Sequence, residues 1–281
     1  MIKSASQLKG KIKKLAKGDV RKAETYIRLY FMERLLERIS ISKYKDRFVI
    51  KGGILASSLL GIDMRTTMDI DTTVRALPLT DADIQKFVNE ICSIEIGDSI
   101  TFKITHTEQI MDDFDYPGVK VHLEGHFEGI RQPIKIDVST DDVITPRAIE
   151  YDYKLMFEDR IIKLMTYNTE TLLAEKMHTI LARGIANTRL RDFYDVYMIT
   201  TNLEFSWDTL AEAFEATCQK RDTMFSAEKV DAIIKLITED TTLKGNWDRF
   251  RNKNAFAKEL EWEIVNTQTA DSIEKVFSMT L

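Results

Sequence analysis

The sequence predicts an α+β protein in which a mixed sheet with helices comes first and a helical bundle follows. Strand-like apolar segments dominate from about residue 48 to about residue 147, and helix-spaced apolar residues prevail from about residue 151 onward. No Pro/Gly-rich linker lies between these halves. We therefore expect two domains, residues 1–150 and residues 151–281, that share one cleft.

The first half is expected to begin with two helices. Residues 4–17 alternate Leu and Ile with Lys before Gly18, and apolar residues recur at three- and four-residue steps from Arg21 to Ile39. A further helix, Asp81–Cys92, follows the cap-like Thr80. Strands are predicted at Phe48–Ile50, Met68–Val74, Ser99–Ile110, Val119–Phe127 and Pro133–Val138, with a turn at Asp115–Gly118.

The second half is expected to be helical apart from a short strand at Asp159–Met165. The predicted helices are Glu170–Arg183, Thr188–Thr200, Trp207–Gln219, Ala227–Ile237, Thr241–Phe250, Phe256–Val265 and Asp271–Met279. Their apolar faces predict a bundle that completes the cleft of the first half.

Composition favours a cytoplasmic globular protein. Apolar residues make up 44% and charged residues 30%, no apolar run approaches the ~20 residues of a membrane span, and the two cysteines fit reduced thiols. A net charge of −5 argues against a generic nucleic-acid binder. Residues 1–40 nevertheless hold eleven basic against four acidic residues. This basic arm fits contact with RNA phosphates and equally fits a solvated face of amphipathic helices.

Two motifs near the start of the predicted sheet point to nucleotide chemistry. Gly52 and Gly53 join an apolar strand to a helix-like segment, an arrangement that brings backbone N–H groups close to an anion. Asp69 and Asp71 are two apart, so on a strand they share one face and form a compact set of oxygen ligands for Mg²⁺ against a triphosphate. Each motif is common alone, and their succession is informative.

Together these motifs resemble the AbiEii/AbiGii toxin family of nucleotidyltransferases, within the DNA polymerase β-like superfamily. The family pattern is similar to K-G-G, about ten residues, then R-x-T-x-D-x-D, and the chain reads KGG at 51–53 and RTTMDID at 65–71. The resemblance implies a polymerase β-like sheet, Mg²⁺ held by Asp69 and Asp71, and nucleotide contacts from Lys51, Gly52, Gly53, Arg65 and Thr67. Family members can carry Ser or Thr where this chain has Ile54, a place that Ser57 or Ser58 could take.

A third carboxylate is expected on a neighbouring strand. Lys135 and Asp137 alternate along the segment Pro133–Val138 and share a face. The resemblance to polymerase β-like enzymes implies such a carboxylate, which would complete the metal site and help to deprotonate the attacking hydroxyl. Asp137 is the candidate, although K-x-D on an amphipathic strand is a commonplace pattern.

Two further motifs lie on predicted helices. Lys176 and Arg183 fall on one helical stripe, and the resemblance assigns them to the triphosphate and the leaving pyrophosphate; a solvated surface helix is the alternative. The segment from Arg189 to Tyr197 is similar to the family pattern R-x-[KR]-D-x-x-D-[LIV]-Y, which implies a catalytic or nucleotide-orienting role for Asp192. Asp195 fits a structural pair with an arginine as well, and either carboxylate needs a nearby cation if it is buried.

Histidines are not expected to carry the chemistry. His122 and His126 are four residues apart on one predicted strand, too far for a zinc pair, and His178 is expected on a helix surface.

The resemblance implies a bacterial toxin that transfers a nucleoside monophosphate from an NTP to RNA, with the tRNA 3′ end as the favoured acceptor. It also implies a role in abortive phage infection and a separately encoded antitoxin that need not touch the toxin. Two rivals remain: a small-molecule acceptor, and a non-catalytic nucleotide-binding interaction protein. The three carboxylates argue against the second rival, because a binding-only descendant does not need all of them.

Overall fold

The structure is a computed structural model that describes residues 2–61, 67, 69–77, 80–110, 118–140 and 142–280. Its helices are α1 (Ala5–Ala16), α2 (Val20–Ile41), α3 (Gly52–Leu60), α4 (Asp81–Cys92), α5 (Thr169–Arg183), α6 (Leu190–Asn202), α7 (Trp207–Lys220), α8 (Ala227–Glu239), α9 (Thr241–Lys253) and α10 (Trp262–Thr280). Its strands are β1 (Phe48–Lys51), β2 (Ile70–Val74), β3 (Thr101–Ile110), β4 (Gly118–Phe127), β5 (Ile130–Thr140), β6 (Ile149–Lys154) and β7 (Ile161–Thr166). The predicted α+β class, with a mixed sheet followed by helices, is confirmed.

The chain divides into two compact units. The sheet unit comprises residues 1–58, 66–142 and 149–166, and the helical unit comprises residues 59–65, 143–148 and 167–281. Within the described ranges, no helix combines the length and apolar character that crossing a membrane requires.

The sheet unit contains a seven-stranded sheet with the strand order β3-β4-β5-β2-β1-β7-β6. Strand β2 lies at its centre, parallel to β5 and antiparallel to β1. Helix α2 packs against β5 and β7, and Phe31 of this helix lies so close to Gly125 of β4 that a larger residue there would collide with its ring. The covered side of the sheet is therefore the hydrophobic core of this unit.

The opposite side of the sheet carries the polar alternation of the strands. Lys120 and His122 of β4 alternate with buried Val119, Val121 and Leu123, so their side chains leave the side that α2 covers. We call this side the polar face of the sheet. It is the side on which polar residues of β2, β5, β4 and β3 can meet.

The helical unit is built around α5, which packs against α6 and α7, while α10 packs against α6, α7 and α8. Asn168 caps α5 by accepting a hydrogen bond from the Thr171 backbone N–H at 3.0 Å. Phe193 of α6 meets the ring of Trp262 of α10 edge-on, with centroids 5.2 Å apart. Aromatic packing of this kind fixes how α6 is oriented in its unit.

Some expectations about secondary structure need correction, and others fall outside the described residues. The predicted helices Phe256–Val265 and Asp271–Met279 are wrong, because one continuous helix, α10, runs from Trp262 to Thr280. Thr269 is buried inside α10 and its hydroxyl donates to the Val265 carbonyl at 2.8 Å, so packing outweighs the weak helix propensity of this stretch. Strand β6 went unpredicted. The structure does not describe some residues of three further predictions: the turn at Asp115–Gly118, the start of the predicted strand Met68–Val74, and the nucleotide contact from Arg65.

Candidate active site

Asp71 and Asp137 meet on the two central strands of the sheet unit. Strands β2 and β5 run parallel, and their register places Asp71 directly beside Asp137, between the buried pair Ile70–Ile136 and the next pair along. Side chains at directly adjacent positions of neighbouring strands point to the same face. Asp69 precedes β2 by one residue, so the strand predicted to hold both carboxylates of the D-x-D motif begins between them.

The electrostatics of Asp137 are those of a carboxylate placed close to others. Burial, together with the negative charges of Asp71 and Asp69, raises the pKa of Asp137 to about 6. Its Oδ1 is buried and has no hydrogen-bond partner among the described residues, while its Oδ2 lies 3.7 Å from the Lys120 ammonium. A buried carboxylate oxygen without a donor is a suitable ligand for a cation.

The glycine turn after β1 holds one of these carboxylates. Gly52 has a φ of +57°, and a Cβ at this position would overlap the Asp71 carboxylate. The backbone N–H of Gly53 donates a hydrogen bond to Asp71 Oδ2 at 2.8 Å. Gly52 and the backbone N–H of residue 53 therefore position Asp71, a role that the sequence did not reveal when it suggested a phosphate cradle.

Lys51 ends β1 directly opposite Asp71 in the register of the sheet. Its ammonium forms an ion pair with Asp142, whose Oδ2 also accepts a hydrogen bond from the Ser139 hydroxyl at 3.0 Å. Asp142 and Lys120 are thus charged neighbours of the carboxylates that sequence reasoning did not single out. The alternation of polar and apolar residues along β4 could have indicated Lys120 from the sequence. Asp142 lies after β5 and belongs to no comparable pattern.

The other predicted nucleotide contacts have local partners. The Thr67 side chain is buried and its hydroxyl donates to the Asp69 carbonyl at 3.3 Å, which ties the segment before β2 to itself. Ser57 is buried in α3, and the Ser58 hydroxyl lies 2.9 Å from the Tyr151 hydroxyl. Tyr151 lies on β6, whose alternating Ile149, Tyr151 and Tyr153 were the missed sign of a strand.

In the helical unit, Lys176 of α5 forms ion pairs with Asp192 and Asp195, the two acidic residues of the motif at residues 189–197. Its Nζ lies 2.7 Å from Asp192 Oδ1 and 2.7 Å from Asp195 Oδ2, both on α6. Lys176 is 7% exposed and Asp195 is fully buried, so the interpretation of Lys176 as a solvated surface residue is wrong. Lys176 supplies a cation that a buried Asp195 requires, and Arg183 is half-buried in the last turn of α5.

His178 lies one residue beyond Met177 on α5 and is buried, which corrects the expectation of a helix-surface position. Its Nδ1 is 3.3 Å from Arg221 Nη1, and its ring meets Phe225 edge-on with centroids 5.8 Å apart. Burial, with a smaller contribution from the charge of Arg221, lowers the pKa of His178 to about 4. The imidazole is therefore neutral at neutral pH.

Known proteins with a similar fold come from Helicobacter pylori. The crystal structure of JHP933 superposes with a TM-score of 0.50 at 14% identity, covering 92% of this chain and 93% of that one. A second crystal structure, of an H. pylori protein to which nucleotidyltransferase activity has been attributed, gives a TM-score of 0.45 at 14% identity, with coverages of 89% and 92%. At such identities the likeness to JHP933 concerns the fold alone.

Sequence comparison is more informative about function. None of the curated proteins matches this chain significantly. The family model described as nucleotidyl transferase AbiEii toxin of type IV toxin–antitoxin systems matches residues 34–272, which is most of the chain. This match includes all the described motifs from the glycine turn to α6. The chain therefore belongs to the AbiEii family of toxins, and it is a nucleotidyltransferase whose family implies a nucleotide substrate and an antitoxin partner.

Proposed function

We propose that the enzyme transfers a nucleoside monophosphate from an NTP to a hydroxyl group of RNA, with the tRNA 3′ end as acceptor, in a Mg²⁺-dependent reaction. The observation that carries this proposal is the juxtaposition of Asp71 and Asp137, with a buried Asp137 oxygen that lacks a donor among the described residues. Family membership supplies the reaction class.

The donor set fits a hard divalent cation. Asp69, Asp71 and Asp137 offer carboxylate oxygens, the ligands that Mg²⁺ prefers, and their like charges favour a cation among them. Bound there, Mg²⁺ would supply charge neutralisation for the triphosphate.

The residues of the chain have distinct tasks in the proposed reaction. The acceptor hydroxyl forms a new bond to the α-phosphorus while the bond from that phosphorus to the pyrophosphate oxygen breaks. Asp137 takes the proton of the hydroxyl, a task suited to its raised pKa of about 6. Gly52 and Gly53 keep Asp71 in place through the close approach and the hydrogen bond described above.

The roles of the remaining predicted residues rest on the family resemblance. They are nucleotide contacts from Lys51, Thr67 and Arg65, phosphate contacts from Arg183, and catalytic roles for Lys176 and Asp192. As part of the same proposal, residues 1–150 and residues 151–281 form two domains, and both contribute residues to the reaction.

An RNA acceptor is supported by the basic N-terminal helix. Lys9, Lys13 and Lys14 of α1 are exposed, and exposed lysines on one helix suit contact with a phosphate backbone. A small-molecule acceptor would not need them. We therefore expect binding of the RNA to weaken steeply with salt, and we place the enzyme in the cytoplasm, where tRNA is available.

Membership of a toxin–antitoxin family supports the biological setting of this proposal. A toxin that modifies tRNA would stop growth and so limit a phage infection, and an antitoxin encoded separately could silence it without contact. Toxicity in a bacterial host, relieved by the neighbouring antitoxin gene, would support this part of the proposal.

Incorporation of each labelled NTP into total bacterial tRNA with Mg²⁺ tests the activity. We expect label from the native protein and none from Asp69→Ala, with Asp152→Ala on exposed β6 as the matched control that keeps activity. Label in both variants would contradict the assigned site. No label with any NTP from folded, toxic protein would contradict the tRNA acceptor and favour a small molecule instead.

A further inference from the structure

A second group of potential metal ligands lies on the polar face of the sheet, at the edge formed by β3 and β4. His106 and Glu108 belong to β3 and His122 belongs to β4. One ligand atom from each of these side chains lies within 4.8 Å of the other two. We propose that His106, Glu108 and His122 bind a divalent transition-metal ion of the Zn²⁺ type, at a site separate from the catalytic carboxylates.

Regular antiparallel pairing assembles the three side chains. The register of β3 against β4 is unbroken from Ile110–Gly118 to His106–His122 and places His106 directly opposite His122; the β-bulge lies just beyond, between Ile104 and His106. Glu108 is two residues further along β3 and shares the face of His106. The two imidazole rings stack with centroids 3.9 Å apart and planes inclined by 16°. Cross-strand pairing and the alternation along β3 therefore bring the three side chains to one place.

The hydrogen bonds of Thr105, the extra residue of the bulge, prepare His106 for a metal. The Thr105 hydroxyl donates to the His122 carbonyl at 3.1 Å, and its oxygen lies 3.2 Å from His106 Nδ1. Because the hydroxyl proton is already used, the oxygen accepts from Nδ1–H. The lone pair of His106 then resides on Nε2, which is the tautomer that a metal ligand needs.

The proposed ion would bind between His122 and Glu108, which are in contact. His122 Nε2 lies 2.8 Å from Glu108 Oε1, a distance bridged by one proton. A metal ion would replace the bridging proton and release it to solvent, as metal binding to imidazole does in general.

The donor atoms select the class of metal. Two imidazole nitrogens and one carboxylate oxygen suit Zn²⁺ and its first-row neighbours, whereas Mg²⁺ prefers oxygen ligands. Tetrahedral zinc bonds of about 2.0–2.2 Å place ligand atoms roughly 3.4 Å apart. His106 and Glu108 are exposed, so rotation of their side chains can close the remaining gap. Three protein ligands leave a fourth position open for water or an anion.

The site lies near the catalytic carboxylates and is chemically distinct from them. In the register of the sheet, Glu108 is opposite Lys120, and Lys120 is opposite Asp137. Two strand spacings of ~4.8 Å therefore separate the backbones of Glu108 and Asp137, and a lysine stands between their carboxylates. The protein would then take up two kinds of divalent ion on one face.

Binding of Co²⁺, a coloured substitute for Zn²⁺, tests the proposal in the untagged full chain. We expect one equivalent with a visible absorption band that Zn²⁺ displaces. His122→Ala and Glu108→Gln should weaken binding at least ~10-fold, because each removes a ligand. His126→Ala is the matched control: His126 lies four residues along β4, pairs with Glu124 at 2.6 Å, and its loss should change nothing.

Three outcomes would overturn the proposal. One is native protein that binds no Co²⁺ or Zn²⁺ at micromolar concentrations, and another is equal loss of binding in His126→Ala and His122→Ala. The third is loss of the Co²⁺ band in Asp137→Asn, which would assign the ion to the catalytic carboxylates. Because the readout is metal uptake, it is independent of whether the proposed transfer to RNA is correct, and far-UV circular dichroism verifies that each variant is folded.

Discussion

Two pairs of carboxylates in this protein differ in how close a lysine lies to them. In the helical unit, Asp192 and Asp195 share the Lys176 ammonium, 2.7 Å from each. In the sheet unit, Asp71 and Asp137 lie side by side, and the lysine nearest to Asp137 is 3.7 Å away. The first pair shares one lysine of the fold. The second keeps a raised pKa at Asp137 and a buried oxygen without a donor in the described part of the chain.

This contrast separates a structural arrangement from a functional one. Buried charges that are paired within the fold stabilise one conformation, and removing one partner is costly. Carboxylates held close together repel one another, and an added cation or proton relieves that repulsion. The sheet pair is thus the better candidate for chemistry, although both pairs belong to motifs of the same family.

The largest expected effect is that of Asp137→Asn on turnover. Loss of the proposed general base should reduce nucleotidyl transfer roughly 10²–10⁴-fold. Stability should stay equal or rise, because the variant removes repulsion with Asp71. Transfer assays and urea unfolding measure the two quantities. Asp137→Asn protein that is clearly less stable than the native protein would mean that the pair is structural after all.

Lys176→Met should act in the opposite sense. It leaves Asp192 and Asp195 without their shared lysine and should cost about 3–5 kcal/mol of unfolding free energy. The matched control is Lys163→Met: Lys163 is 65% exposed and pairs with Glu150, so its loss should leave the unfolding free energy almost unchanged. Unchanged stability in urea combined with lost transfer would instead establish Lys176 as catalytic, as the family resemblance implies.

A smaller effect is expected from Gly52→Ala, which tests how the sheet pair is held. The added methyl overlaps the Asp71 carboxylate and strains a φ of +57°, the latter by about 1–2 kcal/mol. Gly18→Ala is the control, because Gly18 has a φ of +88° and open space around its Cβ position. We expect a larger loss of melting temperature in Gly52→Ala than in Gly18→Ala, because the overlap adds to the backbone strain, and loss of transfer in Gly52→Ala only. Full transfer by Gly52→Ala would show that Asp71 tolerates displacement.

A pH-dependent effect is expected at Glu33 of α2, whose carboxyl group is protonated in the folded protein below about pH 8. Burial raises its pKa to about 8, and its Oε1 accepts a hydrogen bond from the Met156 N–H at 2.8 Å. The unfolded chain releases this proton near pH 4.5 and the folded chain near pH 8, so the stabilisation from Glu33 is full at low pH and is lost as the pH rises through this window.

Glu33→Gln keeps the acceptor and removes the titration. The variant should gain stability relative to the native protein as pH rises from about 5 to about 8, and the gain should level off above that. Thermal melts across this range measure the difference. A constant difference would show that Glu33 does not titrate in the folded protein.

The sequence allowed most of the secondary structure and the strand carrying the third carboxylate to be predicted, because periodicity and short motifs are local signals. Register, packing and ion pairing depend on distant residues. Nothing local shows that Gly52 packs against Asp71, that Lys176 meets Asp195, or that His106 lies opposite His122. His178 was misplaced for the same reason, since its burial comes from α7 and the loop after it.

The order of the strands has a consequence for the cell that makes this enzyme. Asp71 and Asp137 lie on adjacent strands, yet α4, β3 and β4 separate β2 from β5 along the chain. A ribosome must therefore deliver the chain through β5 before the two carboxylates can meet, and pairing so remote in sequence forms slowly. On the proposed mechanism, every nascent or truncated chain that stops short of β5 is harmless. The host is thus exposed to the toxin only when synthesis of the sheet is nearly complete.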